Sequence, residues 1–268
     1  MEQNNGGGNP VAGPLPPPEM KAAWVRDMFE RISQRYDLMN RLMTFGRDGA
    51  WRRYTVSQLG LGAQTSEAEL VLDVATGTGD LALETLSQHP NVRIIGLDFV
   101  PEMLGLAQLK ASALEVNNQA VHPGEEANQS VNSLSFLAGD ALRIPFPDGA
   151  FGAVVTGFAL RNVTDIPAAF AEMARVTRPG GRVACLEIAK PQSSLFRRLF
   201  VLYFYRFVPL LGGWITGQRS AYTYLPHSLS AFLNPDEIAS VMRQTGWEEV
   251  SYRRLMLGTV AVHVGRKA

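Results

Sequence analysis

The chain has 268 residues, 46% of them hydrophobic and 19% charged, with 25 Lys+Arg against 25 Asp+Glu. That is enough apolar material for a sizeable core in one large domain or two small ones. The zero net charge offers no global field to nucleic acid, and no helix-turn-helix or zinc-finger pattern is present. The single cysteine, Cys185, excludes an intrachain disulfide and a cysteine-based zinc site, and its apolar neighbours read it as a buried small hydrophobe.

Residues 1–19 are rich in Gly, Pro and Asn, carry acids and lack an apolar stretch, so they predict a disordered tail rather than a secretory signal. Trp24, Met28, Phe29, Ile32, Tyr36, Met39 and Met43 then recur at spacings of three and four, one apolar stripe on a helix over 21–42. Such a helix either packs on the main domain or lies as a lid over a site, offering Met and aromatic side chains to an apolar substrate. A turn at 45–48 leads to a second helix over 50–59, ended by Gly60 and Gly62.

Leu70-Val71-Leu72-Asp73-Val74-Ala75 reads as a strand buried on both faces, and Gly77-Thr78-Gly79 turns it into a helix that opens at Asp80. Strand, glycine turn and helix let backbone N–H groups approach a ligand closely. A second strand over 92–97 ends in Asp98, 20 positions beyond Thr78, where a carboxylate can accept from both hydroxyls of an adenosine ribose. The turn also fits the dinucleotide fingerprint G-x-G-x-x-A. Two details favour S-adenosylmethionine over NAD. Asp73 lies inside the strand, where it could meet an amino-acid ammonium, and Asp80 at the helix start would repel a pyrophosphate.

The strand–helix alternation continues, which implies parallel strands joined by crossover helices. A helix starts at Pro101, and a polar loop insertion is expected over 117–132. A short strand from Leu134 ends in Gly139-Asp140-Ala141, where Asp140 could accept from an adenine amino group. A fourth strand covers 152–159, a helix 165–177 and a fifth strand 182–188. Within the stretch 195–215, Leu199 to Tyr205 is apolar or aromatic all round, flanked by Arg197, Arg198 and Arg206 and ended by Pro209 and Gly212-Gly213. It is expected to be too short to span a bilayer. It is either a buried helix or an interfacial surface that meets lipid. Asn234 caps a helix reaching Gln244, and 250–254 with 259–264 closes the chain as an antiparallel hairpin.

With those motifs in view, the chain resembles the ubiquinone/menaquinone C-methyltransferase family from about Lys21 onward. Three pieces carry the resemblance: Asp73-Val74-Ala75-Thr76-Gly77-Thr78-Gly79-Asp80, Phe158-Ala159-Leu160-Arg161-Asn162-Val163, and Gln218 to Leu225 with Ser228. It implies an α/β class I S-adenosylmethionine-dependent methyltransferase fold, Rossmann-like, with a mostly parallel seven-stranded sheet. It implies a tail over 1–19 and one methyltransferase domain over 20–268: N-terminal helices to 62, a cofactor-binding core over 70–190, a substrate- or membrane-facing segment over 191–234, and a closing helix and strands from 235.

The resemblance also implies methylation of a prenylated quinol carbon, most simply of demethylmenaquinol. Demethylphylloquinol or a benzoquinol stays open as substrate. An NAD-dependent oxidoreductase and a non-catalytic lipid-quinone binder are the other classes. Cofactor positions fall on Thr78, Asp98, Asp140 and Ala141, beside Asp73, Gly77 and Gly79 of the turn. A position often Ser in the family is Gly157 here, so any side-chain contact there is lost. Arg161 is the expected cation beside a quinol oxygen, with Tyr224 and His227 orienting the ring. The expected setting is the cytoplasm, with at most peripheral contact to the inner face of the membrane.

Overall fold

The computed structural model describes residues 16–62, 69–121 and 134–268. Its strands are β1 (Leu70–Val74), β2 (Arg93–Asp98), β3 (Leu134–Ala138), β4 (Phe151–Gly157), β5 (Thr177–Ile188), β6 (Trp247–Leu255) and β7 (Val260–Lys267). They form one seven-stranded sheet in the order β3-β2-β1-β4-β5-β7-β6. The first five run parallel, and β7 lies antiparallel between β5 and β6. This is the expected mostly parallel sheet with an antiparallel closing pair.

The helices are α1 (Pro18–Met43), α2 (Asp48–Ser57), α3 (Asp80–Gln88), α4 (Pro101–Val121), α5 (Ile166–Val176), α6 (Ser194–Leu202), α7 (Val208–Thr216), α8 (Arg219–Ser230) and α9 (Pro235–Gln244). The central strands are apolar on both faces because both are covered. Leu72, Val74 and Val154 pack with Phe170 and Met173 of α5 and Met242 of α9. Val71, Ala153 and Val155 pack with Val56 of α2 and Leu81 and Ala82 of α3. Cys185 is fully buried, as its neighbours predict.

Helix ends follow the sequence. The Asp165 side chain accepts from Ala168 N at 2.9 Å and starts α5, while Asn234 and Glu237 make a reciprocal capping box on α9. Strand order reverses between β1 and β4, since β1 continues through α3 to β2 on one side while β4 flanks it on the other. A crevice outside the carboxyl ends of these strands follows from that reversal.

Three expectations change. The polar segment from 117 begins inside a helix, since α4 runs to Val121; residues 122–132 of that expected insertion, like 1–15 of the expected tail, lie outside the described residues. The tail's last residues also belong to helix, because Pro18 opens α1 with a fixed φ and no N–H to satisfy. The stretch expected to be too short for a bilayer is a helical run of 23 residues, Ser194–Thr216, in which α6 and α7 are joined by one π turn at Tyr203–Phe207. At 1.5 Å per residue such a run spans roughly 34 Å, membrane length. The π turn lets it continue past Pro209, which sequence punctuation alone reads as a stop.

Gly96 in β2 lets Phe136 of β3 lie against the strand: a Cβ there would stand 2.6 Å from the Phe136 ring and 2.9 Å from Thr76 Oγ1. Gly96→Ala should therefore cost about 1–3 kcal/mol of stability, the overpacking range, read as a lower urea midpoint with an unchanged slope.

Candidate active site

The corner after β1 is a sequence of uncommon backbone conformations. Ala75, Gly77 and Gly79 have φ of 55°, 56° and 82°. For Ala75 that region is sparsely populated, and such strain persists only where the surroundings hold it. Two carboxylates do the holding. Asp98 accepts from Gly77 N at 2.8 Å with one oxygen and from Val100 N at 2.9 Å with the other. Asp73 accepts from the Thr76 hydroxyl at 2.6 Å and from Ala82 N at 3.0 Å through Oδ2. Its Oδ1 is buried with no partner among the described residues. Burial pushes the Asp73 carboxyl up to about 7, against the pull of those two hydrogen bonds. Burial also raises Asp98, countered by its backbone donors.

The corner opens on a cleft of ≈ 850 Å³ whose wall includes Gly77, Asp98, Asp140, Ala141 and Gly157. Asp140 is held by Leu142 N at 2.9 Å. A recess of ≈ 430 Å³ continues from the cleft past Asp73, Thr78, Asp80 and Arg52. Asp73, Gly77, Thr78, Asp98, Asp140, Ala141 and Gly157 are thus brought together. Gly79 is on neither wall; it turns the chain and lets α3 approach α4, where its Cβ would stand 3.0 Å from Ala107.

Thr78 is more engaged than expected. Its hydroxyl donates to Asp37 of α1 at 2.6 Å and accepts from Lys110 of α4 at 2.9 Å. Lys110 also pairs with Asp37 and Asp80 at 2.6 Å each, and Arg52 of α2 pairs with Asp48 and Asp80 at 2.8 Å each. Both cations are shared, so Arg52 and Lys110 meet three carboxylates, Asp37, Asp48 and Asp80, and the helix start stays net acidic. The unpaired Asp73 oxygen, in a recess that Arg52 also lines, adds to the case for an amino-acid cofactor.

On the far side of Tyr36 and Phe158, which line both, lies an apolar pocket of ≈ 870 Å³. Its walls include Trp51, Phe200 and Phe204, and its polar groups include Arg52 and Arg161. Phe158 has φ 57°, a second strained residue between the two spaces. Arg161 sits in a 3₁₀ turn after β4, donates to Phe158 O at 2.5 Å and lies 3.8 Å from Glu187. The Arg161 side chain thus borders the apolar pocket and also braces its own loop.

Glu187 was not among the expected residues. It is fully buried, accepts from Leu160 N at 2.6 Å, and is pushed up to about 7 by burial, with Arg161 pulling the other way. Its signal in the sequence is an acid within the apolar run Val183 to Ile188. Tyr224 is buried against Trp24, 4.6 Å between ring centroids, and borders a separate, more open cavity that meets the apolar pocket at Arg161. His227 is exposed, edge-on to Tyr205, and lines none of these cavities. Of the two residues expected to orient a ring, neither faces the apolar pocket, because α8 turns them toward α1 and solvent.

A profile of the ubiE/COQ5 methyltransferase family matches residues 18–267. The chain belongs to that family. It is 44% identical over 253 residues to the demethylmenaquinone methyltransferase of Roseiflexus castenholzii, covering 94% of this chain and 97% of that one. It is 42% identical over 247 residues to the protein of the same name from Deinococcus radiodurans, covering 92% and 94%. Among solved structures, a SAM-dependent methyltransferase from Thermotoga maritima superimposes with a TM-score of 0.60 at 16% identity, covering 90% of this chain and 99% of that one. That last likeness bears on the fold alone.

The family's cofactor is S-adenosylmethionine, and the residues present suit it. Asp98 and Asp140 could hold the ribose and adenine, Asp73 Oδ1 the ammonium, and Arg52 the carboxylate. An ammonium against Asp73 requires the ionised carboxylate, whose pKa in the free protein is about 7. Affinity for S-adenosylmethionine should therefore fall as pH drops from 7.5 to 5.5, approaching tenfold per pH unit once Asp73 is mostly protonated. Asp73→Asn, which keeps the acceptor for Thr76 and Ala82, should bind more weakly at pH 7.5 and lose the slope. Calorimetric titration across that range reads both.

Proposed function

We propose that this chain methylates a ring carbon of a prenylated naphthoquinol, demethylmenaquinol, in the closing methylation of menaquinone formation. One observation carries the reading: a cleft that presents Asp98 and Asp140, suited to an adenosyl cofactor, meets at Tyr36 and Phe158 an apolar pocket furnished with two guanidinium groups. Demethylmenaquinone methyltransferase is the name of the relatives from Roseiflexus and Deinococcus, and that name supports the choice of ring.

When bound, S-adenosylmethionine supplies an electrophilic methyl group. The chain's own work is alignment, water exclusion and charge. Tyr36 and the strained Phe158 stand where the two spaces join, so they set the approach of ring carbon to donor. Trp51, Phe200 and Phe204 exclude water from the ring. A ring carbon becomes nucleophilic as its neighbouring hydroxyl loses a proton, and Arg161 stabilises the oxyanion that develops. Glu187 positions Arg161 and the Leu160 N–H from beneath the pocket floor. The site is read as facing the cytoplasm, with the enzyme touching the membrane only at its surface.

Transfer of radiolabelled methyl to a panel of demethylated naphthoquinols and benzoquinols tests the proposal. The naphthoquinols should be preferred, and labelling of none would overturn it. Arg161→Ala should lower kcat by roughly 10²-fold or more, about 3 kcal/mol, as for loss of one oxyanion-stabilising donor. Its Kd for S-adenosylmethionine should stay within twofold, since Arg161 lies outside the cofactor cleft and its recess. Undiminished kcat in that variant removes Arg161 from the chemistry.

A further inference from the structure

The helical run Ser194–Thr216 is long and apolar enough to cross a membrane, yet little of it is buried. One side is packed: Val208, Pro209 and Gly212 are buried, and Gly212 lies so close to Tyr222 of α8 that a Cβ would fall 2.2 Å from its ring. Tyr203 donates to Met43 O at 3.0 Å and ties the run to the end of α1. The other side is bare. Leu199, Leu202, Phe207, Leu210 and Trp214 are exposed, Trp214 to 86%. Phe45, 73% exposed at the end of α1, extends the same surface through Tyr203, 5.9 Å away. A contiguous apolar surface of this kind on a soluble domain marks a partner or a membrane.

Charge selects between them. The chain as a whole balances its acids and bases, but from Ile188 through Pro235 it holds no Asp or Glu, while Lys190, Arg197, Arg198, Arg206 and Arg219 fall within it. Arg197, Arg198 and Arg206 are exposed on the run itself. An apolar face rimmed by cations and free of acids complements an anionic bilayer surface. Because one side is packed on α1 and α8 and Arg206 sits mid-run, the run suits lying in the interface rather than crossing it. The apolar pocket strengthens the choice. Its inner end is Phe158 and Arg161, and its rim includes Phe45 and Met256, both exposed, beside this face.

We infer that the Ser194–Thr216 face with Phe45 docks on the surface of an anionic lipid bilayer and that the pocket mouth takes an isoprenoid tail directly from it. The docking stands on the face and its charges. The uptake of a tail rests on the quinol reading above.

The test uses the full chain with vesicles of phosphatidylcholine, with and without phosphatidylglycerol. Sedimentation should carry the protein down with the anionic vesicles. Arg198→Gln/Arg206→Gln should weaken that binding severalfold, as should raised salt. Leu202→Asp/Trp214→Asp, on bare positions outside the pockets, should abolish it with an unchanged melting temperature. The same apolar variant should methylate a soluble short-tailed quinol at the wild-type rate and a long-tailed quinol in vesicles at least tenfold more slowly. Wild-type protein that ignores both vesicles, or apolar variants that bind like wild type, would overturn the docking. A wild-type dimer that Leu202→Asp/Trp214→Asp converts to monomers, without vesicle binding, would assign the face to a second copy instead. Failure of wild type on the short-tailed quinol would sink the quinol reading and leave vesicle binding as a separate result.

Discussion

The hydrogen bond from Gly77 N to the Asp98 carboxylate, 2.8 Å long, ties the corner after β1 to the end of β2. Everything around the cofactor cleft depends on it. A buried carboxylate is costly unless its lone pairs find donors, and here the donors are backbone N–H groups that can reach it only if the corner adopts left-handed conformations. The burial of Asp98 and the strain at Ala75 and Gly77 therefore compensate one another. Asp73 makes a parallel arrangement from inside β1, through Thr76 and Ala82, but with one oxygen left over. That remaining oxygen is the one the proposed cofactor ammonium would pair with.

Helix α1 is both core and wall. Val25, Met28, Ile32 and Met39 are buried among α7 and α8, while Phe29 and Tyr36 face the cofactor cleft. The two readings its apolar stripe allows are two faces of one helix. Asp37 keys it to the glycine corner through Thr78 and Lys110, so α1, α3 and α4 share one polar junction. Exposed ion pairs contribute little. A half-buried set meeting on one hydroxyl instead fixes the orientation of the helix that covers the site.

The arrangement also separates tasks by environment. Charged and hydrogen-bonding groups converge on the side of β1 and β2, apolar rings on the side of α2 and the Ser194–Thr216 run, and Arg52 touches both. Glu187 and Asp73, both shifted upward by burial, lie under different spaces: one braces Arg161, the other borders the cofactor recess. A sulfonium and a hydrophobic quinol need this division, since one requires fixed dipoles and the other a dry wall.

Local order in the chain was enough to place the parallel strands, the glycine corner, Asp98, Asp140, Arg161 and the capped helix from Pro235, because each rests on periodicity, turn chemistry or a motif within a few residues. Family motifs added the cofactor and the substrate class. The tertiary structure alone decided that Asp80 is paired, since Arg52 and Lys110 reach it from elements far apart in sequence. It alone showed Glu187 beneath Arg161, turned His227 to solvent, set β7 between β5 and β6, and continued the helix from Ser194 through a π turn. It also decided which side of that helix is bare. A sequence that is apolar all round has no phase, so only packing against α1 and α8 determines which half is left to its surroundings.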